Sequence, residues 1–219
     1  MRECVVEDLG RMSYGDAFEI QSRIAVERKQ GQGIDRLLFV EHPHVITVGR
    51  NGHPENLLAP EETLRRAGIE LYESDRGGDV TYHGPGQIVA YPIMDLRAWK
   101  RDVGAFVRAI EQVLIDTLAD FGIEAGRIAG MTGVWTNQAK IAAIGVHLSR
   151  WVSTHGWALN VSTDLRYFEY IVPCGLTKPV TSMRALGVHV DIEEVKAALI
   201  RHFGEVFDFE IEREIVGII

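Results

Sequence analysis

The chain has 219 residues, 46% of them hydrophobic and 25% charged, which suits one large α/β domain with a substantial core. A net charge of −8, with basic residues only in pairs such as Arg65-Arg66 and Lys100-Arg101, argues against a nucleic-acid binder. No stretch is long and apolar enough to cross a bilayer, and two cysteines in a chain this size exclude a disulfide framework.

The start, Met1 to Asp8, lacks a signal-peptide apolar run and carries acids that a transit peptide would avoid. A reducing cytoplasm is therefore the expected compartment. Ser13, with Asp16 three residues on, predicts a capped helix running to about Lys29. Leu37–Val40 and Val45–Val48 read as strands on either side of a break at His42-Pro43-His44. Pro60 predicts the opening of a short helix that ends before Gly68. Ile88–Met94 reads as a strand, and its Pro92 predicts an edge position or a bulge. Apolar residues at Phe106, Val107, Ile110, Val113, Leu114, Leu118 and Phe121 predict a helix stopped by Gly122. Gly133–Thr136 and Ile141–Leu148 predict a hairpin about Asn137-Gln138-Ala139-Lys140, and Trp157–Val161 a further strand. Ile192, Val195, Leu199 and Phe203 share one helical face, with Gly204 as the expected stop. Strands gathered in the middle between helices predict an α+β fold with a mixed, largely antiparallel sheet, in a single domain spanning residues 1–219.

Three stretches carry chemistry. Arg76-Gly77-Gly78-Asp79-Val80-Thr81-Tyr82-His83-Gly84-Pro85-Gly86-Gln87 is too glycine-rich for helix or strand propensity. Glycine lets backbone approach a ligand closely, and successive N–H groups can form a nest. The plain alternative is a double turn with a structural histidine. No Lys-Ser/Thr follows, so this is not a phosphate loop. The second stretch joins Lys140, placed before the apolar run Ile141 to Gly145, to His155-Gly156-Trp157-Ala158-Leu159-Asn160. Base rates make Lys140 a solvated hairpin lysine; a functional reading requires a partner that gains from a buried cation. The third is Val172-Pro173-Cys174-Gly175, a cysteine held on a constrained turn, unlike Cys4, which precedes Val5-Val6. A nearby ammonium lowers a thiol pKa, so Lys140 and Cys174 make chemical sense together. With no Cys-x-x-Cys and no His-Glu-x-x-His, neither a metal nor any other cofactor is called for.

In this order, Arg76–Gln87, Gly133–Ile141, His155–Asn160 and Pro173–Gly175 resemble the octanoyltransferase family of lipoate biosynthesis, over about half the chain. The resemblance implies a fold like that of the biotin and lipoate protein ligases. It implies that Cys174 carries an acyl thioester and that Lys140 lowers its thiol pKa. It implies that Arg76, Gly77, Gly78, Asp79, Val80, Thr81, Tyr82 and His83, then Ala143, Ile144 and Gly145, then Gly156, Trp157 and Ala158 line the substrate site. Trp157 is bulkier than the residue some relatives carry there, which puts chain-length preference at issue. The implied donor is octanoyl-acyl carrier protein. The implied acceptors are lipoyl domains of 2-oxoacid dehydrogenase complexes and the glycine cleavage H protein, with no nucleic acid or membrane involved. Backbone N–H groups beside Gly77-Gly78 or at Gly175, assisted by His83, are the expected oxyanion donors. The competing expectations are an ATP-dependent lipoate or biotin ligase, a cysteine hydrolase using His83 or His155, and a non-catalytic acyl- or lipoyl-domain binding module.

Overall fold

The apolar spacing after Asp102 becomes a helix, α3 (Val103–Asp120), whose first turn is capped by Asp102 accepting from the Ala105 N–H at 2.9 Å. The computed structural model of the chain describes residues 2–172 and 178–214, with side chains to residue 212. The remaining helices are α1 (Tyr14–Lys29), α2 (Glu61–Arg66) and α4 (Ile192–Phe207). The expected cap on α1 is present: Ser13 Oγ accepts from the Asp16 N–H at 3.1 Å. Helix α4 runs past the expected stop at Gly204 and ends at Phe207, where Asp208 takes the left-handed cap conformation; Gly204 instead lets Ile211 pack close, since a Cβ would lie 3.1 Å from its Cγ1.

Among the described residues there are eleven strands: β1 (Arg2–Arg11), β2 (Asp35–Glu41), β3 (Val45–Val48), β4 (Glu70–Glu73), β5 (Val80–His83), β6 (Gln87–Ile93), β7 (Gly126–Ile128), β8 (Met131–Thr136), β9 (Ala139–Ser149), β10 (Val152–Asn160) and β11 (Phe209–Glu214). They form an eight-stranded sheet in the order β11-β1-β2-β6-β10-β9-β8-β7 and a three-stranded sheet in the order β4-β3-β5. The sheets are mixed. Strand β1 is parallel to both neighbours and β3 is parallel to β4, while the other ladders are antiparallel. The architecture is the expected α+β one.

Helices α3 and α4 cover one face of the large sheet, joining Phe106, Ile110, Leu114, Leu199, Phe203 and Phe207 to Leu37, Phe39, Ala142, Trp157 and Leu159. Fully burying each large side chain there contributes about 1.5–3 kcal/mol. Helix α1 covers the other face with Ala17, Ile24 and Ala25 against Leu38, Val89, Tyr91 and Ala158. The small sheet has its own core of Ile46, Val80 and Tyr82 under Leu64 of α2 and Phe168. Among the described residues no helix is long and apolar enough to cross a membrane.

Two local expectations need correction. Pro92 lies in a central strand, buried between β2 and β10, which overturns the edge alternative, although pairing with β10 is interrupted beside it. The sheet accommodates it because regular pairing of β6 with β10 runs only from Ala90↔Trp157 to Gln87↔Asn160. Beyond that, His155 of β10 adopts a left-handed backbone, φ 57°, and its N–H donates to Gln21 Oε1 at 2.8 Å instead of to the ladder. Lys140 is the second correction. The hairpin turns on Asn137 and Gln138, both at positive φ, so Lys140 sits inside β9 opposite Trp135 and is 93% buried, at 7% exposure.

A cavity and a groove at the seam of the two sheets

The glycine-rich loop crosses from one sheet to the other, and Arg76 fastens it. The guanidinium donates from Nε to Thr47 Oγ1 at 3.0 Å, and from Nη2 to the Thr47 carbonyl at 2.7 Å and the Asp79 carbonyl at 2.6 Å. The loop then lies on β9: the Gly77 N–H donates to the Val146 carbonyl at 3.0 Å. Close contact requires glycine on both sides, since a Cβ at Gly145 would stand 2.8 Å from the Gly77 carbonyl oxygen. Asp79 holds the next loop. Its carboxylate accepts from the N–H groups of His53 and Val80, at 2.9 and 2.8 Å, and from the Asn56 side-chain amide.

Strand alternation splits β5. Thr81 and His83 face a cavity, while Val80 and Tyr82 point into the small-sheet core, where the Tyr82 hydroxyl pairs with His44 Nδ1 at 2.7 Å. The cavity, about 430 Å³ including its open mouth, is lined by Arg76, Gly78, Thr81 and His83 on one side and by Ala143, Ile144, Gly145, Gly156, Trp157 and Ala158 on the other. Tyr14 and His155 close its polar end, and Val89 and Tyr91 extend its wall. The predicted runs Arg76–His83, Ala143–Gly145 and Gly156–Ala158 thus meet here, apart from Gly77 and Asp79, which line the neighbouring groove, and the core-facing Val80 and Tyr82. The indole of Trp157 packs in the α4 core, 6.2 Å from the Phe203 ring.

The groove is wider, about 1420 Å³ including its open mouth, and lies between residues 51–56, Gly77–Asp79, Val107, the Gly130–Thr132 turn and β9. Lys140 stands at the junction. It lines the groove and also a small gap bounded by Thr81, Gln87, Ala143, Ala158, Asn160 and Val180. Its ammonium lies 4.8 Å from the centre of the Trp135 ring, and no carboxylate salt-bridges to it among the described residues. Its backbone is zipped to the chain at 179–181: the Lys140 N–H donates to the Pro179 carbonyl and the Thr181 N–H to the Lys140 carbonyl, each at 2.9 Å. Cys174, with Pro173 and Gly175, lies outside the described residues. Cys4 is fully buried, and burial pushes its thiol pKa far up.

The histidines at the cavity are neutral. Burial lowers His42 to about 4 and His83 to about 3, and lowers His155 as well. His155 Nε2 pairs with Asp75 Oδ1 at 2.6 Å and its Nδ1 with the Tyr14 hydroxyl at 3.3 Å. The candidate set lacked Tyr14, Val89, Tyr91 and the 51–56 loop, which carry no sequence motif and reach the site only through the fold.

The family described as lipoyl protein ligase A/B catalytic domain matches residues 13–204. The chain belongs to that family. Octanoyltransferase from Solibacter usitatus is 66% identical over 96% of both chains, and octanoyltransferase from Koribacter versatilis is 51% identical over 94% of this chain and 85% of its own. These likenesses put the chain among the family's acyltransferases. The fold is shared with a solved structure from an archaeal lipoylation system, a bipartite lipoate protein ligase and its E2 lipoyl domain from Thermoplasma acidophilum, TM-score 0.77 at 18% identity over 98% of this chain and 87% of that one. It is shared more distantly with biotin protein ligase from Aquifex aeolicus, TM-score 0.55 at 11% identity over 95% and 71%.

Proposed function

We propose that this chain moves an octanoyl group from the pantetheine thiol of acyl carrier protein to the acceptor lysine of lipoyl domains, through a thioester on Cys174. The acceptors would be lipoyl domains of 2-oxoacid dehydrogenase complexes and the glycine cleavage H protein. A free thiol nucleophile suits a reducing cytoplasm.

One observation carries the reading. Lys140 is a buried cation with an aromatic ring beside it and no carboxylate partner among the described residues, and it is zipped to the chain just after the segment that holds Cys174. On the other side of that segment, the Val172 N–H donates to the Asn56 carbonyl at 2.8 Å, and Asn56 and Lys140 line the same groove. A thiolate is the anion that would repay such a cation.

In the first half-reaction the Cys174 thiolate attacks the thioester carbonyl carbon. The new C–S bond forms, the pantetheine sulfur leaves, and the Lys140 ammonium supplies its proton. In the second, the lipoyl lysine amine attacks, neutral Lys140 takes the amine proton, and the Cys174 thiolate departs. Oxyanion stabilisation falls to N–H groups not already spent. Gly77 is spent on Val146, whereas Gly78 has no acceptor among the described residues. The apolar cavity walls Ala143, Ile144, Ala158 and Val89 suit an acyl chain, with about 0.8 kcal/mol for each CH₂ buried. The groove suits the two long, thin arms, pantetheine and lysine, that must arrive in turn.

The test is intact-protein mass spectrometry after mixing with octanoyl-acyl carrier protein and no acceptor, followed by peptide mapping. One octanoyl on Cys174, discharged by a lipoyl domain, is the expected result. Transfer that requires ATP and free octanoate, with no adduct, would instead establish ligase chemistry.

A further inference from the structure

Two buried polar side chains, Gln87 and Asn160, form a relay behind His83, and its polarity can be read without ambiguity. The relay begins at the Thr181 carbonyl, which can only accept. Asn160 therefore presents its amide nitrogen to it, Nδ2 to O at 3.0 Å. That leaves Asn160 Oδ1 facing Gln87, so Gln87 Nε2 donates to it at 2.9 Å. The same Nε2 also donates to the Tyr82 carbonyl at 3.2 Å, which fixes the Gln87 amide a second time. Gln87 Oε1 then faces His83 Nδ1 at 2.8 Å and can only accept. The proton of the neutral ring must be on Nδ1. Its Nε2 carries a lone pair, has no hydrogen-bond partner among the described residues, and belongs to a ring that lines the cavity.

We infer that Gln87 and Asn160 are positioning residues that lock His83 as its Nδ1–H tautomer, so that Nε2 meets the reacting groups as a hydrogen-bond acceptor. His83 then cannot be an oxyanion donor. The group it suits is an N–H of the incoming amine, which it orients by accepting a hydrogen bond; this part rests on the proposed function. The surroundings keep the ring from taking a second proton. His42 lies 5.9 Å away, Tyr14 stacks at 5.9 Å, and the charge of Arg76 and the imidazole of His155 add to the penalty of burial. The far end of the relay matters equally. Thr181, whose carbonyl anchors it, gives its own N–H to the Lys140 carbonyl. One run of hydrogen bonds therefore sets the ring of His83 and the strand register of Lys140.

The experiment is long-range ¹H–¹⁵N NMR on protein labelled at histidine, with His83 assigned through His83→Gln. The expected spectrum shows a protonated Nδ1 and a bare Nε2 in the absence of any substrate. A protonated Nε2 in the wild type overturns the inference, whether or not any variant folds. Gln87→Glu keeps an acceptor for Nδ1–H and should keep the tautomer. Gln87→Met removes it, and should give mixed tautomers and slow discharge of the octanoyl enzyme to a lipoyl domain by 10- to 100-fold, with charging from the carrier changed less. Unchanged tautomer and discharge rate in Gln87→Met also overturn it. The tautomer is read without substrate, so an absent Cys174 adduct would remove the proposed function and leave this result standing.

Discussion

Acid should loosen this fold well before its carboxylates titrate, and the size of the effect follows from His42 and His83. Both are buried and neutral, at about 4 and about 3 in the folded chain, while an unfolded histidine protonates near 6.5. A histidine lowered by folding stabilises fully above its unfolded value and loses that stability as pH falls toward its folded value. At pH 5 the unfolded chain has gained almost all of both protons and the folded chain almost none. The gap is 1.5 units for each, and at 1.36 kcal/mol per unit each histidine costs about 2 kcal/mol of stability between pH 8 and pH 5. His44 and His155 shift in the same direction and add to the loss. The lowered carboxylates, Asp75 and Asp95, withdraw their support only below this window. Urea unfolding at pH 8 and pH 5 should therefore show a drop of about 4 kcal/mol in the wild type, offset in part by the buried Asp35 carboxyl, which burial raises so that it takes up its proton earlier in the folded chain. His83→Gln should show a drop smaller by about 2 kcal/mol. Equal pH slopes in the two proteins would refute the claim that His83 is held neutral by burial.

Other outcomes follow from the same geometry. Iodoacetamide on the native protein should add one carbamidomethyl group, at Cys174, since Cys4 is fully buried with a raised pKa; labelling of Cys4 at a comparable rate would contradict the core placement. Cys174→Ala should abolish transfer while Cys4→Ala leaves most of it, measured as octanoylated lipoyl domain. Lys140→Met should move the pH midpoint of Cys174 alkylation upward, and an unchanged midpoint would remove Lys140 from that role. Gly156→Ala should lower the melting temperature sharply or prevent folding, because a Cβ there would lie 2.1 Å from the Ala90 carbonyl oxygen and 2.6 Å from Pro92.

The sequence exposed some elements and hid others for physical reasons. Helix α1 announces itself through the side-chain cap at Ser13, and α3 and α4 through apolar stripes, all local signals. Strand β1 mixes Arg2, Glu3, Glu7 and Asp8 with Cys4, Val5 and Val6, and becomes a strand only because β2 and β11 flank it in the fold. The burial of Lys140 was hidden because it depends on Trp135 across the hairpin and on residues 179–181 closing over it. At the site, glycines 77, 78 and 145 mark where loop meets strand, but the alternation that turns Val80 and Tyr82 away requires the strand itself. Gln87 and Asn160 both fell within motifs; what marks them out is burial of a polar side chain, which only coordinates reveal. The basic pair Arg65-Arg66 is the solvated surface pair its isolation in the sequence suggests, and both guanidinium groups pair with Glu62.

The pairing of β1 with β11 also bears on how the molecule is made. Along the chain β1 finds one of its two neighbours, β2, within about thirty residues, but its other neighbour, β11, lies roughly two hundred residues further on. At about 5–20 residues per second, the open edge of β1 waits roughly 10–40 s for its cover. During that interval the α4 surface that buries Phe203 and Phe207 is also missing from the growing core. The nascent chain therefore carries an unpaired strand edge and uncovered aromatic contacts together, the combination that invites pairing with a second chain. Pairing of β11 with β1 is therefore the step that closes this edge against a second chain.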